Sequence, residues 1–188
     1  MAYYTNSDSK PYKTALDFYK GQVQVVKDLL HDSLGDSIIN ADSANSREQN
    51  ICFYFINEDN ELRSVAVKAD RRTHKTGNIM VETQQKRLYH NQMYINERGW
   101  FYTCGADYLF IVNAAGHLIY LFEWLQLKDF IKSESDTIHE EKWINRFDES
   151  TTSFGYPISL KVLSENQLVL NAWRIPEQYY QPLKNNSN

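Results

Sequence analysis

The residues best suited to chemistry in this 188-residue chain lie between Arg63 and Gln92. Asp70 follows an alternating segment, Arg63 to Lys68, and Glu82-Thr83-Gln84 lies within the next one, Asn78 to Gln84. Two carboxylates on adjacent strand ends can converge on one point. Side chains two apart on a strand leave the same face, so Glu82 and Gln84 are expected to stand together. Hard divalent cations take oxygen ligands, and Asp70, Glu82 and the backbone carbonyl of Thr83 are the candidate ligands for Mg²⁺ or Mn²⁺. A cation so held polarises a phosphate and activates a water. Lys68, Arg71, Arg72, Lys75, Lys86 and Arg87 surround the pair and are the candidate contacts to a polyanion.

The elements that must position these residues follow from hydrophobic period. Leu16, Tyr19, Val23, Val26 and Leu30 recur at three- and four-residue steps and predict a helix over 14–34, capped by Thr14 and stopped at Gly35. Its polar face presents Asp17, Gln24 and Asp28. Ile51 to Ile56 and Arg63 to Lys68 read as strands joined at Asn57-Glu58-Asp59-Asn60, and Asn78 to Gln84 as a third strand of an antiparallel meander. Lys86 to Gly99 reads as loop and Trp100 to Ala106 as a helical turn. Tyr108 to Val112 and His117 to Phe122 read as two more strands, and Leu127 to Lys132 as a short helix. Ile158 to Leu163 and Gln167 to Ala172 predict a C-terminal β-hairpin. The expected fold is a single α/β domain over 1–188, a mixed central sheet of about five strands flanked by helices, with loose tails at 1–12 and 176–188.

The net charge of −4, from 20 Lys+Arg and 24 Asp+Glu, excludes a uniformly basic coat protein. It conceals two opposed parts. Residues 61–90 hold seven cations against three acids, a net +4, which leaves −8 for the rest. No apolar run is long enough to span a bilayer, and Met1 to Tyr12 lack the apolar core of a signal peptide, so a cytoplasmic location is expected. Cys52 and Cys104 have no partner at metal-ligand spacing and read as reduced, buried thiols. Neither a G-x-S-x-G elbow nor a glycine-rich phosphate loop occurs.

Asp70, then a turn, then strand-borne Glu82-x-Gln84, resembles the motif of the PD-(D/E)XK nuclease superfamily. The string Thr76-Gly77-Asn78-Ile79-Met80-Val81-Glu82, followed by Trp100-Phe101-Tyr102-Thr103 and Ala106-Asp107-Tyr108, is similar to phage-borne, restriction-endonuclease-like members. The likeness covers about residues 14–132. It implies a restriction-endonuclease-like core and metal-dependent hydrolysis of phosphodiester bonds in DNA by a phage-encoded endonuclease, in the cytoplasm of a host cell. A homodimer would suit a double-strand cut. The family often adds an acidic residue from the first helix, a place that Asp17 or Gln24 would take. One departure stands out: the family's motif lysine, which orients the attacking water or stabilises charge on the phosphate, is Gln84 here, an amide that orients water by hydrogen bonding. Some active restriction endonucleases of the superfamily carry Gln or Glu there, and Lys68 or Lys75 is the candidate substitute. The alternative is a catalytically inactive relative that binds nucleic acid or a host protein.

Structural roles compete with each of these. Asp70 can open a turn, and Glu82 can pair with Arg63 or Arg87. His74 suits a surface loop better than a proton shuttle. Tyr89, Tyr94, Trp100 and Tyr102 can stack on unpaired bases or simply pack. Asp107 reads as structural, fixing the turn before the strand at 108. The acidic stretch at 133–150 reads as a solvated helix or loop, or as a surface for a partner.

Overall fold

The structure, a computed structural model, describes residues 10–34, 37–70, 72–89, 93–144 and 151–179, of which 10–16, 32–34, 87–89, 93–95, 143 and 144 by backbone alone. Helix α1 (Lys10–Leu34) lies against a six-stranded sheet. Its strands are β1 (Ile38–Asn40), β2 (Phe53–Ile56), β3 (Leu62–Ala69), β6 (Tyr108–Asn113), β7 (Leu118–Glu123) and β10 (Val169–Arg174), side by side in that order. All pairs are antiparallel except β3 with β6, which makes the sheet mixed. The α/β class with a mixed sheet and flanking helices is thus as the sequence leads one to expect.

Alternation along β3 explains how this sheet is covered. Val65 and Val67 join Val25 and Val26 of α1, while Ala66 faces the other way. Along β6, Phe110 and Val112 meet the α1 layer, and Leu109 and Ile111 enter a second core. That strand is buried on both faces, which is why it reads as one unbroken apolar run. The second core is closed by Phe101, Trp124, Leu127, Ile131 and Leu163 and by Ile79, Val81 and Ile158 of a second sheet. Trp124 is held in place there by its Nε1–H, which donates to the Cys104 carbonyl at 3.0 Å.

This second, four-stranded sheet is the main departure from expectation. Its order is β5 (Met93–Arg98), β4 (Asn78–Tyr89), β9 (Thr151–Ser159), β8 (Glu141–Ile144), antiparallel throughout. A parallel pair needs a long crossover. The crossover from β3 to β6 carries β4 and β5, and the connection from β7 to β10 carries β8 and β9. The third strand of the expected meander therefore belongs to the other sheet. The segment from Lys86, expected as loop, completes β4 and forms β5. No C-terminal hairpin forms: Ser159 ends β9, α6 (Leu160–Glu165) follows, and β10 returns to pair with β7. The short helices α2 (Ala44–Glu48), α3 (Thr73–Thr76) and α4 (Trp100–Thr103) follow β1, β3 and β5 in the chain, and α5 (Trp124–Ser133) follows β7.

Residues 10–12, expected in a loose leader, begin α1. At the other end Tyr179, expected in a frayed tail, donates its hydroxyl to Asp28. Gly35 lies outside the described residues. Among those described, no helix is long and apolar enough to cross a membrane. Cys52 and Cys104 are both free thiols, the second buried and the first half-buried.

Candidate functional site

Lys68 and Asp70 leave the C-terminal end of β3, and Glu82 leaves β4. Asp70 is buried, and its carboxylate organises the turn between the two strands. Oδ1 accepts the backbone N–H of Arg72 at 2.7 Å and of Thr73 at 3.1 Å, and Oδ2 accepts that of Met80 at 3.0 Å. The Met80 contact ties Asp70 to β4 two residues before Glu82, about 7 Å of strand away. Asp70→Ala would leave these amides without their charged acceptor, and a fall in stability of about 2 kcal/mol is expected. Urea unfolding monitored by circular dichroism checks this, with Asp70→Asn expected to lose less.

Glu82 sits at a bulge. Glu82 pairs with Gly155 and Gln84 with Phe154, so Thr83 is the extra residue. Gly155 and Ser153 share one face of β9, and Phe154 lies on the other. Glu82 Oε2 accepts Ser153 Oγ at 2.8 Å and Gln85 Nε2 at 2.8 Å. The expectation that Glu82 and Gln84 share a face is thereby corrected. The one-residue insertion turns Gln84 away and puts Gln85 beside the carboxylate. The bulge is pinned from outside as well: Thr83 Oγ1 donates to the Phe154 carbonyl at 3.1 Å and to Glu140. The Thr83 carbonyl, a candidate metal ligand, accepts the Gly99 N–H at 2.8 Å.

The electrostatics of Glu82 and Lys68 are complementary. Burial pushes the Glu82 carboxyl above the usual carboxylate range, against the hydrogen bonds from Gln85 and Ser153 and the attraction of Lys68. Glu97, on β5 opposite Gln85, adds to the upward shift. Burial pushes the Lys68 ammonium down, opposed by Cys104, Cys52 and Glu82. Lys68 Nζ donates to Asn50 Oδ1 at 2.6 Å and lies 5.6 Å from the centre of the Trp100 ring. Asn50 is itself held, with Nδ2 donating to Thr103 Oγ1 at 2.9 Å. Its backbone is left-handed, φ +58°, a conformation that asparagine tolerates better than most residues. Desolvated ionisable groups of opposite charge are where acid–base chemistry concentrates.

The other expected residues are scattered. Arg72, His74 and Lys75 are exposed on the α3 turn. Arg71 lies outside the described residues, as do the side chains of Arg87, Tyr89 and Tyr94. Lys86 lies 4.9 Å from the centre of the Phe154 ring, on the face of β4 away from Glu82. Asp17 and Gln24 are exposed on α1, and the polar residue that α1 buries is Gln22, at 0% exposure. Asp107 is structural as expected: its carboxylate accepts the Ser64 N–H at 2.7 Å and the Ser64 hydroxyl at 2.6 Å. Asn50 and Ser153 escape sequence reasoning because nothing in local spacing signals a partner from a distant segment, and Gln85 escapes it because the bulge at Thr83 is set by pairing with β9. Asn50 alone carried a hint, as an asparagine closing a polar segment before an apolar strand.

Among solved structures, the chain is similar to a bacterial homing endonuclease. That protein, I-Ssp6803I, matches over 59% of this chain and 70% of its own, with 15% identity and a TM-score of 0.42. No family model and no curated protein matches the chain. The functional reading therefore rests on the residues themselves.

Proposed function

We propose that this chain is a metal-dependent nuclease of the PD-(D/E)XK type, phage-encoded, that hydrolyses phosphodiester bonds in DNA. One observation carries the reading: the Asp70 carboxylate, two residues beyond Lys68, accepts the Met80 N–H two residues before Glu82, so the residues whose order resembles the nuclease motif meet where β3 and β4 adjoin.

The donor set fits a small hard cation. No group of three or more His, Cys, Asp or Glu converges among the described residues, so a closed metal cage is not the arrangement. Mg²⁺ does not need one, since it keeps waters and takes one or two carboxylates together with substrate phosphate. Both hydrogen bonds to Glu82 fall on Oε2, and among the described residues no donor reaches Oε1. Asp70 Oδ2 receives a single amide. Those two oxygens would hold Mg²⁺ or Mn²⁺, which when bound would polarise the phosphate and acidify a water. Lys68 supplies positive charge for the phosphate where Gln84 cannot. Gln85, and not Gln84, is the amide beside Glu82, fixing which carboxylate oxygen stays open. Arg72 and Lys75 on the turn would meet the DNA backbone.

The test is incubation with supercoiled plasmid and with single-stranded DNA, in Mg²⁺ and in Mn²⁺. Cleavage that chelation stops supports the reading, and intact DNA under all four conditions overturns it. The sedimentation coefficient of the active species shows whether a homodimer cuts. A second reading, an inactive nuclease-like chain that binds nucleic acid or a host protein, is favoured by one observation. The Asp70 carboxylate and the Thr83 carbonyl already serve backbone amides. Salt-sensitive DNA binding without cleavage would identify it.

A further inference from the structure

The register of the second sheet sorts its side chains by charge. Residues directly opposite one another on neighbouring strands share a face. One row runs Arg98 on β5, Gln84 on β4, Phe154 on β9 and Lys142 on β8. The adjacent row on that face carries Asn96, Lys86 and Thr152. No residue of these two rows is acidic. The opposite face carries Glu82, Glu97 and Glu141, opposite or beside Gly155 and Gln85. The bulge at Thr83 makes the division, because without it Gln84 and Glu82 would share a face.

Arg98 and Lys142 are exposed, and Lys86 and Phe154 are half-buried, with the Lys86 ammonium 4.9 Å from the centre of the Phe154 ring. Among the described residues no salt bridge engages any of the three cations. The acids next to them in the chain, Glu97 and Glu141, lie on the opposite face, and Glu140 accepts the Thr83 hydroxyl. On the same face of β9 the core covers Ile158 and Tyr156, and the cations gather around Phe154 beyond its end. Three cations around one aromatic ring match a chain of phosphates whose bases are free to stack. A duplex hides its base faces and would meet only the charges.

We propose that this face, Lys86, Arg98 and Lys142 around Phe154, binds a single-stranded polynucleotide, with phosphates on the cations and a base on the Phe154 ring. It lies on the other side of β4 from Glu82, so it stands independently of the cleavage reading.

The experiment is fluorescence anisotropy of labelled oligo-dT, oligo-rU and a DNA duplex, in EDTA so that no cleavage intervenes, over a salt series. Wild type is expected to bind the single strands more tightly than the duplex. The triple variant Lys86→Gln, Arg98→Gln, Lys142→Gln is expected to lose affinity and to flatten the log–log salt slope by about 2, at about 0.7 for each phosphate contact on a single strand. Phe154→Leu keeps an apolar side chain in β9 and is expected to weaken binding about tenfold through lost stacking, within the range for one stacked base. Comparison of oligo-dT with oligo-rU tells which sugar is preferred. Binding that is unchanged in the triple variant, absent in wild type, or stronger for duplex overturns the proposal. Circular dichroism melting of each variant confirms that these surface changes leave the fold intact. Single-strand binding in a protein that cuts no DNA would retain this surface and refute the nuclease. Cutting without it would do the reverse.

Discussion

Gly99→Ala is expected to lower stability by about 3 kcal/mol or more, the upper range for forcing atoms into a packed interior. Gly99 precedes α4 and is buried against the bulge of β4. A methyl group there would stand 2.5 Å from the Glu82 carbonyl carbon and 2.6 Å from the Thr83 carbonyl carbon, and closer still to the Glu82 carbonyl oxygen. These are backbone atoms and cannot swing aside. Separation of the chains would also break the hydrogen bond from Gly99 N–H to the Thr83 carbonyl. The requirement is one of space, since Gly99 has φ −69°, open to any residue. Gly21 provides the contrast. It lies within α1 with nothing within 4 Å of the added methyl, so Gly21→Ala is expected to stabilise by about 0.5–1 kcal/mol. Paired urea titrations read both signs, and equal midpoints for the two variants would refute the close approach.

Glu82→Ala is expected to reduce metal-dependent cleavage about 10³-fold, within the span seen when a positioned acid–base group or a metal ligand is lost. Plasmid-nicking rates in Mg²⁺ and Mn²⁺ measure it. Glu82→Ala leaves the Ser153 hydroxyl and the Gln85 amide without their acceptor, so circular dichroism melting of the variant separates loss of cleavage from loss of fold. Ser153→Ala and Gln85→Ala are expected to cost about 10- to 100-fold, as partners that orient a ligand rather than serve as one. Nicking at the wild-type rate in Glu82→Ala would sink the assignment. A deficit in Gln84→Ala larger than in Gln85→Ala would show that the bulge does not set the site.

Much of the architecture was legible because hydrophobic period reports burial. The apolar steps of 14–34 announced α1. Alternation announced β3, and the apolar run at 108–112 announced β6 as a strand, while its burial on both faces is a property of the two cores around it. Period reports nothing about neighbours. Asn78 to Gln84 was readable as a strand, yet its pairing with β9 joins Asn78 to Ser159 and Gln84 to Phe154, far apart in the chain, and only chain topology chooses such partners. The local polarity of Lys86 to Gly99 read as loop because both β4 and β5 carry charged faces there.

The site shows the same division more sharply. Sequence by itself determined which carboxylates and cations occur together: Asp70, Glu82 and Lys68 lie within a short span and within a strand-turn-strand pattern. Tertiary structure alone decided what stands beside them. The inserted Thr83 replaces Gln84 with Gln85 next to Glu82, and β9 contributes Ser153. Asn50 reaches Lys68 from before β2. The local basic patch also changes meaning: Lys86 separates from Lys68 and joins Arg98 and Lys142 across the sheet. The physical reason is the two-residue period of a strand. A single extra residue exchanges its faces, and whether one is inserted depends on the partner strand, which sequence spacing does not show.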